Sequence, residues 1–203
     1  MGKDYTDYIQ DYNIRRAWPR PEKTALLVID MQAYFRPLTD PILPNIISLI
    51  DMCRSWGVKI FFTRHGHLNP SKDGGMLREW WGDLIQYDTP DWELIKDLDI
   101  RQEDTIIEKN RYSAFFGTDL NKQLQDRGIK NLIICGVMTN CCCETTARDA
   151  FVHDYRVFFV ADATAAANEE LHIASLKNLA YGFAHIVTSY DLYKLGIRDQ
   201  GLV

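Results

Sequence analysis

The chain has 203 residues, 46% hydrophobic and 25% charged, enough to bury a sizeable core, and a single domain over 1–203 is expected. A net charge of −5 leaves no basic excess to neutralise phosphates, which speaks against nucleic acid or an anionic membrane as the main partner. No run of 18 apolar residues reads as a membrane span, and the five cysteines, four of them between Cys135 and Cys143, are no disulfide framework; a reducing cytoplasm is the expected setting.

Residues 1–22 form a polar leader without the apolar stretch of a secretory signal. Met1 to Thr6 fits a loose myristoylation pattern, which is short and promiscuous. TALLVIDM, Thr24 to Met31, reads as a strand buried on both faces. Ile42 to Trp56 has helical spacing, with Gly57 where a C-terminal cap belongs, and Val58 to Arg64 is the second buried strand. Residues 68–99 are polar, broken by Gly and Pro and rich in Trp, an excursion of the length used for lids or pocket walls. A regular rhythm follows: strand 104–109, helix 119–127, strand 131–137, helix 140–153, strand 155–162, helix 168–181 and a last strand at 185–188. This alternation predicts an α/β domain with a parallel sheet and helices on both faces.

Ligands of such sheets bind beyond the carboxyl ends of the strands. Those ends carry Asp30, Lys109 and the stretch VMTNCCCETTARDA, so a carboxylate, an ammonium and a thiol are expected on one edge. A nearby lysine and a helix N-terminus lower a thiol pKa, and an aspartate can accept its proton. Asn140 is a suitable N-cap, which puts Cys142 in the first helical turn, where free N–H groups favour a thiolate or an oxyanion. Cys141 and Cys143 lie about 100° to either side of it, toward packed flanks.

Other uses of the triplet remain to be weighed. Adjacent cysteines on a helix diverge and make a poor tetrahedral zinc site, and a vicinal disulfide has no evident activity. Inert burial is the plain alternative, accepted for Cys135, Cys141 and Cys143. Taken singly, Asp30 is readable as a strand-end cap and Lys109 as a surface charge.

The segments LLVIDMQAYF, EKNRYSAFFGTDL, ICGVMTNCCCETTARDAF and FVADATAA together resemble the isochorismatase-like cysteine hydrolases, over about Thr24 to Leu192. That superfamily includes nicotinamidases, N-carbamoylsarcosine amidases, ureidoacrylate hydrolases and isochorismatases. The resemblance implies a Rossmann-like three-layer sandwich with a six-stranded parallel sheet and an Asp–Lys–Cys triad. The aspartate falls on Asp30, the lysine on Lys109 and the nucleophile on Cys142. It also implies a cis Val137–Met138 peptide and oxyanion donors at the backbone amides of Met138 and Cys142. A soluble homo-oligomer, dimer or tetramer, acting on a small molecule without a cofactor is the expected form.

Two departures bear on the branch. Nicotinamidases carry an Asp-x-His pair and a further His as metal ligands after the second strand; here TRHGH puts His65 at the Asp position and keeps His67, so no metal is expected. DGGMLREWWGDLI and EKNRYSAFFGTDL are similar to the isochorismatase branch, yet true isochorismatases have glycine where Cys142 stands. The leading expectation is a metal-independent amidohydrolase that cleaves a C–N bond of a small carboxamide or ureido substrate through a thioester. Phe35, Trp81, Tyr112 and Phe115 are the candidate apolar walls, with Gln32, Arg64 and His65 as candidate polar contacts. The runner-up is isochorismatase-type hydrolysis of an enol-ether acid with Asp30 as general acid, and the third a catalytically idle binding protein.

Overall fold

Six strands lie parallel in one sheet of order β3-β2-β1-β4-β5-β6, in a computed structural model that describes residues 5–199, with side chains through Lys194. They are β1 (Thr24–Ile29), β2 (Lys59–His65), β3 (Thr105–Lys109), β4 (Asn131–Val137), β5 (Arg156–Ala165) and β6 (Ala184–Val187). The chain winds outward from β1 to β3, then returns to lay β4 on the other side of β1. The switch point of the sheet, where ligands bind in such folds, therefore lies between β1 and β4.

Alternation along the central strands explains the layers. Ala25, Leu27 and Ile29 of β1, with Leu132 and Ile134 of β4, face one core. Leu26 and Val28, with Ile133, Cys135 and Val137, face the other. Both faces are dry, as a parallel sheet under helices on each side requires. The first layer holds α6 (Leu120–Asp126), α7 (Glu144–Val152) and α8 (Glu169–Gly182), and the second α3 (Leu43–Ser55) and α9 (Ser189–Asp199). Phe61, Phe62, Phe158 and Phe159 are fully buried, each contributing about 1.5–3 kcal/mol.

Local chemistry sets several boundaries. Asn168 caps α8 by accepting a hydrogen bond from the Leu171 amide at 2.9 Å. Gly57, just past α3, takes the left-handed φ of 72°. Gly136 of β4 has φ 114°, and a Cβ there would collide with the Ile29 backbone, so the close pairing of β1 and β4 at the switch point needs glycine.

The expected elements all form, with shifted ends, and further helices join them. The leader is tied down: α1 (Thr6–Ile9) buries Ile9 in the first core, and Asn13 exchanges hydrogen bonds with the Ile186 backbone at 2.8 and 3.2 Å. The myristoylation pattern begins on Met1 to Asp4, outside the described residues. After β6 the chain continues into α9, where no helix was expected, with Thr188 capped by Asp191 at 3.0 and 2.8 Å. Residues 66–100 hold two short helices, α4 (Pro70–Asp73) and α5 (Gly75–Trp81), and the brief α2 (Arg36–Thr39) precedes α3. No helix among the described residues is long and apolar enough to cross a membrane.

Candidate active site

Asp30 is the first residue beyond β1 and is fully buried. The chain turns there with φ 47°, in the left-handed region that aspartate tolerates better than most residues. Thr63 of β2 fixes the carboxyl, donating from Oγ1 to Oδ1 at 2.6 Å while accepting the Asp30 amide at 3.1 Å. Lys109 ends β3, in register with His65, and its Nζ sits 2.7 Å from Asp30 Oδ2, donating also to the Arg111 carbonyl at 3.0 Å. Burial works against the Lys109 charge, but the Asp30 carboxylate and the Cys142 sulfur outweigh it, so its pKa is raised and it stays an ammonium.

The third group arrives by a different local geometry from the expected one. Thr139 to Cys143 form a π-helical turn, closed by the Cys143 amide on the Met138 carbonyl at 3.2 Å, and α7 begins only at Glu144. Such wider turns recur at functional sites. The Val137–Met138 peptide before it is cis. Cys142 is 7% exposed, and its sulfur lies close enough to Asp30 and Lys109 for their charges to act on it. Its pKa is raised: burial is the largest cause, the Lys109 ammonium opposes it, and the Asp30 charge and hydrogen bond add to the rise. This corrects the expectation of a lowered thiol. A thiol whose pKa is raised needs a base before it can attack, and the Asp30 carboxylate acts on this sulfur.

A cavity of about 180 Å³ opens above the thiol. Its walls include Phe35, His65, Trp81, Tyr112 and Cys142, which were expected there, and Met138, expected as an oxyanion donor; Leu77, Asp83, Leu84 and Ile85 come from the excursion expected to form a pocket wall, while Tyr34 and Cys141 were not expected. Trp81 Nε1 donates to the Tyr112 hydroxyl at 2.7 Å, and Tyr112 and Cys141 line the cavity together. Cys141 therefore faces the pocket, contrary to the flank position that α-helical spacing implied, because the π turn rotates it inward. Cys143 is fully buried in the core, as expected. The apolar positions of MLREWWGDLI signal this wall in the sequence; nothing local marks Tyr34 or Cys141.

Three candidates stand elsewhere. Gln32 is fully buried as a bracket, donating to the carbonyls of His65 and Trp92 and accepting the His65 amide, each at 2.8 Å. Arg64 lies flat over Trp92, 3.4 Å from the ring centre, and pairs with Glu108 and Glu93. Phe115 packs in the core against His153 and Tyr155.

His65 and His67 are edge-to-face with ring centres 5.2 Å apart. His65 Nδ1 is 3.5 Å from the Lys109 ammonium, and its pKa falls to about 3, through burial first and then that charge. His67 Nδ1 is engaged with Asp73 at 3.2 Å, while Asp73 accepts the amides of Leu68 and Asn69 at 2.8 and 3.1 Å. Among the described residues no three His, Cys, Asp or Glu side chains gather to hold a metal. The pair does not fit the ion that the nicotinamidase branch implies, since an ammonium already stands beside the one imidazole that faces the pocket.

The chain matches the family model described as Isochorismatase domain over residues 24–191. It is 51% identical to "Nicotinamidase 3" of Arabidopsis thaliana, over 87% of this chain and 90% of that one. It is 32% identical to "Enterobactin synthase component B" of Escherichia coli K12, over 85% of this chain but 63% of that longer protein. A solved cysteine hydrolase from Pseudomonas syringae pv. phaseolicola superposes with a TM-score of 0.85 at 30% identity, covering 90% of this chain and 96% of that one. The first relative stands against the expectation that the change at His65 moves the chain away from the nicotinamidases; that change touches a metal position and leaves Asp30, Lys109 and Cys142 in place. With its sheet, its strand-end residues and these likenesses, the chain belongs to the isochorismatase-like hydrolases.

Proposed function

We propose that the protein is a cysteine amidohydrolase for a small, flat carboxamide or ureido compound, with Asp30, Lys109 and Cys142 as its catalytic residues. One observation carries this reading: a buried ion pair, Lys109 Nζ to Asp30 Oδ2 at 2.7 Å, meets a protonated thiol at the floor of an aromatic-walled cavity. A buried pair costs desolvation, and breaking it costs more, so the two charges are held where a reaction can use them. Cys142 in the pocket floor, where an enol-ether hydrolase has glycine, favours attack on a carbonyl carbon.

In the first half-reaction Asp30 takes the Cys142 proton as sulfur attacks the carbonyl, forming a C–S bond and an oxyanion. The backbone amides of Met138 and Cys142 are the donors for that oxyanion. As the tetrahedral intermediate collapses the C–N bond breaks, and the nitrogen leaves with the proton that Asp30 returns. Water then gives a proton to Asp30 and attacks the thioester; the C–S bond breaks, the acid leaves, and sulfur regains its proton. Lys109 pairs with Asp30 and holds it beside the sulfur. His65, uncharged, offers the substrate a hydrogen bond, and no step calls on a metal at His65 and His67. Two or more subunits and a cytoplasmic setting are part of the same reading.

The test is parallel release of ammonia from nicotinamide and related amides and of pyruvate from isochorismate. Ammonia release that falls at least about 10³-fold in Cys142→Ala is expected. Pyruvate release that survives Cys142→Ala would overturn the thioester route in favour of enol-ether hydrolysis.

A further inference from the structure

The lining of the cavity above Cys142 is uneven in charge. Among its described residues it has no lysine or arginine, and Asp83 is the one carboxylate. Beneath the floor Lys109 and Asp30 cancel one another, and His65 is neutral beside them. Asp83 has no ion-pair partner among the described residues, and it stands exposed to solvent on the cavity wall. Gly82, with φ 74°, turns the chain between Trp81 and Asp83 so that both line the cavity. The charge is felt inside: the Tyr34 hydroxyl, another wall, has its pKa raised by burial first, then by Asp83 and by Asp91.

The proposed reaction changes the charge of its ligand. An uncharged amide enters; a carboxylate leaves. We infer that Asp83 makes the pocket a charge filter, which admits uncharged amides and expels both the carboxylate product and amides that carry a carboxylate of their own. The repulsion is absent in the substrate complex and is felt where negative charge develops, first on the oxyanion held by the backbone amides and then on the acid, so it promotes product release and specificity at some expense to bond cleavage. This inference rests on the amidohydrolase reading and narrows its substrates to neutral or cationic ones. Isochorismate, with two carboxylates, lies on the excluded side.

Alkylation of the intact protein by iodoacetamide and by iodoacetate tests the filter directly, with each thiol located by fragment mass spectrometry. The reagents deliver nearly the same group to sulfur and differ in one negative charge, so their rate ratio at Cys142 cancels the nucleophilicity of the thiol. Relative to the ratio for a small free thiol, iodoacetate is expected to be disfavoured by about five- to ten-fold at low salt, and less at high salt. Asp83→Asn should reduce that discrimination about three- to five-fold, and Asp83→Glu should restore most of it. A ratio unmoved by Asp83→Asn, or a preference for iodoacetate, overturns the filter. Failure of the underlying function reads differently: Cys142 would then react no better with either reagent than the buried Cys143 does.

Discussion

The two halves of the site are built by different means. Asp30 and Lys109 sit at the ends of β1 and β3, on strands fixed by paired backbone and two dry cores, and Cys142 is in the π turn that follows β4, with its side chain in the first of those cores. The opposite wall, with Leu77, Trp81, Asp83, Leu84 and Ile85, comes from the excursion between β2 and β3, which holds only short helices and turns. That wall is stapled to the sheet at a few points: Gln32 to His65 and Trp92, the Ile95 amide to the Met31 carbonyl at 2.9 Å, and Arg111 to the Asp73 carbonyl at 2.8 Å. The contrast separates two jobs. Groups that move protons and make bonds are placed by the most over-determined part of the fold, while groups that choose a substrate sit where substitution costs little.

Removing a charge from the first half should have the largest effect. Lys109→Met leaves the Asp30 carboxylate buried with Thr63 as its remaining partner. We expect turnover to be lost and the protein to be destabilised by about 3–5 kcal/mol, read as a fall in Tm. Asp30→Asn should abolish turnover too. A Lys109→Met protein with unchanged Tm would mean that the strand ends are less constrained than the contrast requires.

The same contrast explains what the sequence revealed. Strand ends are legible because period, β-branched runs and the residue after each run depend on local chemistry, so Asp30, Lys109 and Cys142 could be named from the chain alone. Gln32 and Phe115 are in similarly legible segments, yet which way each points is decided by tertiary packing, and both turned away from the pocket. The excursion was legible as a pocket wall, but Asp83 could not be singled out within it, because a turn gives no period that says which way a polar side chain points. Cys141 was misplaced because a π turn, which shifts the angle between neighbours, looks like an α-helix in sequence. The helix α9 was missed for lack of a strong signal beyond the Thr188–Asp191 cap.

Acid should distinguish the halves by a smaller margin. His65 has its pKa lowered to about 3 and His172, bonded to Thr139 of the π turn at 2.9 Å, to about 4, burial being the first cause in both. Both take up a proton more readily when unfolded, with an ordinary pKa near 6.5. Their contribution is present above about pH 6.5 and is lost as pH falls toward 4, since there only the unfolded chain gains the proton. Tm should therefore drop progressively from pH 6.5 to 4, and His172→Asn should flatten the slope over that interval. If neither His172→Asn nor His65→Asn alters the slope, the acid sensitivity belongs to carboxylates such as Asp73 in the excursion, whose pKa is lowered: its burial is outweighed by the amides of Asn69 and Leu68 and by His67.

The smallest effects should come from the two cysteines that flank the nucleophile, and they divide along the same line. Cys143 is fully buried in the core and touches no part of the cavity wall. Cys143→Ala removes one buried sulfur, so a loss of about 1 kcal/mol in stability is expected, with KM within two-fold. Cys141 is partly exposed and lines the cavity. Cys141→Ala removes a wall contact while leaving the core and the Trp81–Tyr112 hydrogen bond intact, so Tm should hold and KM should rise about two- to four-fold with kcat little changed, the mark of an interaction equally strong in ground and transition states. Both variants should keep turnover, which sets them apart from Cys142→Ala. A Cys141→Ala protein that lost stability while keeping its KM would show the π turn to be part of the rigid half and would move the boundary between the two regions past Cys141.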